Sequence, residues 1–183
     1  MLENEGPGLV PLDGARDRPN GQERETDEAP EELRRLIVFR ACDEWFGLPI
    51  QWVKEIQPLE RVTRVPNASA EVLGVLNLRG HVLTLFDLAG CLAIPPGTRP
   101  NTHAVVLDFA DLELSVGIAV QRIAQVREVP VSAVSPAGRE TGAGGLEGVF
   151  EVNGQVVGLL DLSRAFGRVL AEWGMKAEPS AGR

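Results

Sequence analysis

Side chains able to do chemistry are few in this chain and poorly grouped for it. The histidines are His81 and His103, and neither stands at a spacing that would bind a metal or serve a nucleophile. Cys42 and Cys91 are too far apart in sequence for a redox pair, so reduced, packed thiols are expected. Asp87 and Asp161 could be read as paired carboxylates for acid-base hydrolysis. Each, however, ends an apolar run and precedes a leucine, where capping the next turn is the stronger expectation. Gly144-Gly145 lacks the lysine and the strand-to-helix setting of a phosphate loop. Trp45, Phe46 and Trp52 could furnish an aromatic patch, although alternating aromatics more often face a core. What remains is Glu55 between Val53 and Ile56, either a solvated face or a rim charge that sets specificity, and Arg79 beside Gly80, either a solvated turn residue or a contact offered to a partner. The residues predict no catalysis, no cofactor and no metal.

Arg79 is carried by the stretch Gly74 to Leu88. Val75, Leu76 and Leu78 precede Arg79-Gly80, and Val82, Leu83, Leu85 and Phe86 follow, which predicts two strands joined at a tight turn. A slide of 74 residues lays this stretch on Gly148 to Leu162. Gly74, Val75, Gly80, Val82, Leu85, Asp87 and Leu88 then fall on identical residues. A slide of 70 puts Gly47, Gln51 and Pro66 on Gly117, Gln121 and Pro136. The chain therefore holds two copies of one small unit of about five strands, each short of core alone and expected to pack on its twin with a groove between. Arg79 faces Asn153 and Asn77 faces Glu151 across the copies. Residues that the copies share belong to the fold; those that differ mark specialisation, and Arg79 becomes a candidate partner contact.

The rest of the chain supplies the frame. Leu36 to Phe39 and Trp45 to Ile50 predict a hairpin turning at Asp43-Glu44. Ile50 to Ile56 fits a helical turn or an irregular strand. Ile94 to Asn101 reads as a linker. His103 to Phe109 and Leu112 to Val120 predict a second hairpin turning at Ala110-Asp111, Arg139 to Gly145 a mobile loop, and Asn153-Gly154 a further hairpin turn. Ser163 to Trp173 has helical apolar spacing, with Asp161 or Ser163 as its cap. The predicted fold is all-β: two five-stranded SH3-like barrels at roughly 33–95 and 101–166 within a domain of 32–171, a short C-terminal helix, and a flexible tail over 172–183.

Of the formal charge of −8 over 183 residues, −7 falls before residue 33, where ten acids meet three bases. Rich in Pro and Gly as well, residues 1–31 are expected to be a disordered acidic arm, either solubilising or regulatory. The near-neutral remainder argues against binding nucleic acid and gives no support for docking on anionic membranes. No apolar run approaches the ~20 residues that cross a bilayer, and the first residues lack the basic start and apolar core expected of a secretory signal. A cytoplasmic location is expected.

Phe46-Gly47, Val53-Lys54-Glu55-Ile56, Val62-Thr63-Arg64-Val65-Pro66, and above all Gly74 to Gly80 with Asp87-Leu88, resemble the CheW family of bacterial chemotaxis coupling proteins. The similarity runs from Leu33 to Leu170. It implies two five-stranded barrels and a non-enzymatic adaptor in chemosensory signal transduction. The adaptor would link the hairpin tip of a chemoreceptor to the regulatory domain of the histidine kinase CheA and be recruited to receptor arrays. By motif position, Arg79, Glu55, Ile56 and Val53 would lie at the partner surface, with Asn77 and Gly74 shaping the loop around Arg79. Thr84 stands where the family often has Pro, and Gln121 where it often has Asp. The reading from residues alone keeps an alternative, a double barrel holding a small ligand or peptide in the groove between its halves.

Overall fold

The structure, a computed structural model, describes residues 31–109, 115–137 and 144–172. The acidic arm before Glu31, the turn at Ala110-Asp111, most of the Arg139 to Gly145 loop and the tail from Trp173 lie outside the described residues. Strand β1 (Leu33–Ala41) returns as β2 (Glu44–Pro49). The turn falls at Cys42-Asp43, with φ of 52° and 63°, one residue earlier than the sequence suggested. Ile50–Trp52 makes one 3₁₀ turn and Val53–Pro58 forms β3, so the ambiguous stretch is both things in succession. Strands β4 (Val72–Leu78) and β5 (His81–Phe86) make the expected hairpin, followed by a five-residue helix, α1 (Leu88–Leu92). The second half runs β6 (His103–Leu107), β7 (Ser115–Val120), β8 (Arg122–Pro130), β9 (Ser135–Pro136), β10 (Leu146–Val152), β11 (Gln155–Leu160) and α2 (Leu162–Glu172).

These strands form two sheets, ordered β8-β1-β2-β11-β10-β9 and β3-β6-β7-β5-β4. The orders are images of one another: β8, β1, β2, β11 and β10 in one sheet take the places of β3, β6, β7, β5 and β4 in the other. Both contain the same parallel pair, β11 on β2 and β5 on β7. Even the short strand β9 has a partial equivalent, a single bridge from Thr63 to Val75. The duplication is therefore real in three dimensions, but the sheets are not the contiguous segments 33–95 and 101–166. Each sheet combines the first hairpin of one copy with the last hairpin of the other. One pairing from the sequence also changes. Gly74 lies against the carbonyl of Thr63 as Gly148 lies against that of Ser135, so Thr63 matches Ser135 and Pro136 falls on Arg64, not on Pro66.

The exchange places the main core between the sheets. Ile37, Phe46, Phe86, Val105, Ile118 and Phe166 belong to one cluster drawn from both sheets and both helices. Phe86 and Phe166 meet edge to face with centroids 5.0 Å apart, an arrangement aromatic quadrupoles favour. Each sheet keeps a smaller core of its own, around Leu36, Val38, Phe150 and Leu159 in one and Leu76, Leu83, Leu85 and Val106 in the other. Helix α2 starts at Asp161, whose Oδ1 accepts from the Arg164 amide at 3.1 Å. It buries Leu162, Ala165, Phe166, Val169 and Leu170, the i, i+3, i+4, i+7, i+8 stripe of a helix lying on a core. Asp87 caps α1 in the same way, accepting from Ala89 N at 3.2 Å. Both carboxylates are used in capping.

Candidate functional site

At the β4-β5 turn Arg79 has φ 52° and Gly80 φ 88°, the two positive values of a type I′ turn. The equivalent turn has φ 51° at Asn153 and 76° at Gly154. Asparagine visits this region readily; an arginine held there costs about 1 kcal/mol. Asn77 Oδ1 accepts from the Gly80 amide at 2.8 Å and braces the strained turn, whereas the second copy has Glu151 at that position. The copy with the unfavourable turn residue is the one with the added brace.

Arg79 Nη2 lies 3.5 Å from Glu55 Oε2, and the arginine is 74% exposed. Gln57 Nε2 donates to the same carboxylate oxygen at 2.8 Å. β3 and β4 stand at opposite ends of their sheet, so a contact between β3 and the tip of β4-β5 requires the sheet to curl until its ends meet. At the matching place in the other unit stand Gln125 and Asn153, without charge.

The six residues singled out in the sequence fall into three places. A register shift between Val53 and Glu55 leaves Lys54 without a partner on β6 and decides which way each neighbour faces. Glu55 stands opposite Val106 of its own unit's core, with Arg79 and Asn77 nearby. Val53 and Ile56 stand opposite Leu107 and Val105 of the central core. Val53 packs against that core, while Ile56 is 38% exposed at its rim. Gly74 is at neither place but at a bulge near the start of β4, with φ 151°. A Cβ there would come within 2.5 Å of the Thr63 carbonyl, so this glycine seats the Thr63 segment and does not shape the Arg79 turn.

Two exposed apolar pairs escaped the sequence reading. Val126 on β8, opposite Ile37, is the image of Ile56 and is 48% exposed. Val82 and Val156, one residue after the position following each turn glycine, are images of each other and are both exposed. The offsets of 70 and 74 residues pointed at both pairs.

The linker is fastened, not loose. Asp43 accepts from the Thr98 amide and hydroxyl at 2.6 and 2.7 Å, and these bonds hold its carboxyl below the usual range. Gln121, buried, accepts from the Asp43 amide at 3.0 Å and donates to the Arg99 carbonyl at 3.1 Å. A carboxylate here could only accept, whereas the amide does both, which gives a physical reason for glutamine over an acid at this position. Burial raises the Cys42 thiol to about 11 and the Cys91 thiol to about 12. Both are neutral thiols at physiological pH.

The central core packs between the two sheets where a groove was anticipated, which corrects the ligand-binding alternative. Trp45 packs against one unit's own core, and Trp52 against the central core with Phe109 edge-on at 5.5 Å, so no aromatic patch forms. Beside Trp52 a cleft of about 650 Å³ remains, lined by Arg34 and Glu147, which are ion-paired. Among the described residues no three His, Cys, Asp or Glu side chains gather as a metal site, and no helix is long and apolar enough to cross a membrane.

Comparison with known proteins bears on this arrangement. The model of the CheW-like domain family matches residues 35–169. The chain is 30% identical over 144 residues to the chemotaxis protein CheW of Treponema pallidum, covering 74% of this chain and 84% of that one. It is 29% identical over 136 residues to the chemotaxis protein CheW of Rhizobium meliloti, covering 73% and 87%. The crystal structure of the scaffolding protein TtCheW from Thermoanaerobacter tengcongensis superposes with a TM-score of 0.65 over 76% of this chain and 91% of that one, at 20% identity, a likeness of fold.

Proposed function

This chain belongs to the CheW-like domain family, and on that premise we propose that it joins a chemoreceptor's cytoplasmic hairpin tip to the regulatory domain of the kinase CheA. It is a scaffold of chemosensory signalling and not an enzyme. The observation that carries the proposal is Arg79: exposed, held at positive φ, braced by Asn77 and aimed by Glu55, in one copy of a duplicated unit alone. Backbone strain that the second copy relieves with asparagine is retained here, and strain of that kind clusters at functional sites.

The surface has two parts. Arg79 and Glu55 offer a charged patch at the end of one barrel, suited to fixing the register of a partner. Ile56 and Val126 offer apolar side chains at the two rims of the central core, on the edge strands β3 and β8. An amphipathic helical hairpin would lay its apolar stripe on such rims. Recruitment to receptor arrays in the cytoplasm follows from these contacts.

Co-sedimentation with receptor hairpin fragments and with the isolated kinase regulatory domain tests this reading. Wild type is expected to associate with both, Arg79→Ala to lose one partner, and Ile56→Ser to weaken the other. Association with neither, from the same cell's complement of receptors and kinases, would overturn it.

A further inference from the structure

Two donors approach one oxygen of Glu55. Gln57 Nε2 donates to Oε2 at 2.8 Å, and Arg79 Nη2 lies 3.5 Å from the same atom. The first contact is a hydrogen bond; the second is longer than the ~2.7–3.2 Å of an N–H···O bond and is an ion pair held at a distance. A guanidinium beside a carboxylate commonly closes on it as a fork, with parallel N–H bonds to its two oxygens. Here one of those oxygens is already taken.

The strand builds this arrangement locally. The register shift at Lys54 sets Glu55 and Gln57 opposite Val106 and Ala104, both in this unit's own core, so the two side chains share one face of β3 as nearest neighbours. The Glu55 side chain is 27% exposed against 74% for Arg79, which makes the carboxylate the fixed member and the guanidinium the free one. Among the described residues Glu55 is the one acceptor that the Arg79 guanidinium approaches, and its five N–H donors are left to the solvent. The other copy has none of the three parts. Gln125 and Arg127 on β8 take the places of Glu55 and Gln57, and Asn153 takes that of Arg79. Carboxylate, amide and guanidinium differ between the copies as a set, as the parts of one device would.

Resting on the reading that Arg79 meets a signalling partner, we propose that Gln57 is the positioning residue of this site: by occupying Glu55 Oε2 it keeps Arg79 from closing on Glu55 and leaves the guanidinium fork open to an acceptor on the partner. Glu55 thereby orients the arginine without consuming its donors. With Oε2 freed, the fork closes within the chain, and apparent affinity falls by the fraction of molecules in which it is shut. For an exposed pair that fraction lowers affinity by up to about fivefold.

The test compares the full-length wild type with Gln57→Leu, which removes the donor at similar size. With no partner present, the guanidinium protons of ¹⁵N-labelled Arg79 should exchange with solvent severalfold more slowly in Gln57→Leu than in wild type, because the closed fork protects them. In a Glu55→Gln background the same substitution should leave that exchange unchanged. Calorimetry then measures binding to whichever partner Arg79→Ala loses, receptor hairpin fragment or kinase regulatory domain. Gln57→Leu is expected to weaken it about threefold, and the loss should vanish in the Glu55→Gln background, whereas a folding defect would weaken both backgrounds alike. Equal exchange in wild type and Gln57→Leu, or equal weakening in both backgrounds, would overturn the positioning role. Wild-type binding of both partners by Arg79→Ala would instead overturn the reading on which that role rests, and the two failures are told apart because the exchange comparison needs no partner.

Discussion

Arg79 sets stability against purpose at a single backbone position. Replacing it with the residue its own image carries, Arg79→Asn, should relieve the positive-φ strain and raise stability by about 0.5–1 kcal/mol, since the exposed ion pair to Glu55 contributes little. Thermal unfolding should show a melting point higher by roughly 1–4 °C with partner association lost, and an unchanged or lower melting point would refute the strain argument. The thiols offer a second residue-scale prediction. Because burial raises Cys42 to about 11 and Cys91 to about 12, the folded chain keeps both protonated where an unfolded chain ionises them. Stability should therefore fall as pH rises from about 9, the unfolded value, towards 11 for Cys42 and 12 for Cys91. A pH-stability profile of wild type against Cys42→Ala/Cys91→Ala should diverge only in that window. At pH 8 a thiol reagent should label both cysteines more slowly in the native chain than in the unfolded chain, because less of each is thiolate.

Elements are held in register by close backbone approaches that leave no room for a side chain. Gly74→Ala would drive a Cβ to 2.5 Å from the Thr63 carbonyl at a φ that only glycine accepts freely, and a loss of about 3 kcal/mol or more is expected by chemical denaturation. Gly80→Ala, with nothing within 4 Å of its Cβ, should cost much less, about 1–2 kcal/mol from φ alone. A reversal of that order would show that the β4 bulge is not what fixes the Thr63 segment. The linker is the other element-scale case. Its Pro and Gly content suggested a connector, yet Asp43, Thr98, Arg99 and Gln121 tie it to the β1-β2 turn. Asp43 is held below its ordinary range by bonds made only in the folded state. The stability it contributes is present above about pH 4, the unfolded value, and lost as pH falls through the lowered folded value. Melting temperature from pH 5 to 2 should fall less steeply in Asp43→Asn than in wild type.

At the scale of the molecule, strand exchange between the copies predicts one cooperative unit. Phe166→Ala, which empties the central core that both sheets share, should cost about 3–5 kcal/mol and leave a single unfolding transition. Separate fragments 33–95 and 101–166 should each lack a stable fold, because each sheet needs strands from both, and mixing them should restore dispersed amide resonances. Two fragments folding independently would refute this account of the architecture.

The hairpins, the turns at Gly80 and Gly154, both aspartate caps and the helix at the C-terminus were legible in the sequence because each rests on a local rule of spacing or backbone freedom. The internal repeat was legible because turn and core positions tolerate few substitutions. The repeat also singled out Arg79 by subtraction. Non-local pairing was beyond reach. Copies with the same strand pattern can pair within themselves or with each other at equal local cost, so only the packed core decided which hairpin joined which sheet. The same packing filled the expected groove and moved Val53 inside while leaving Ile56 at a rim. It also separated Gly74 from the Arg79 turn.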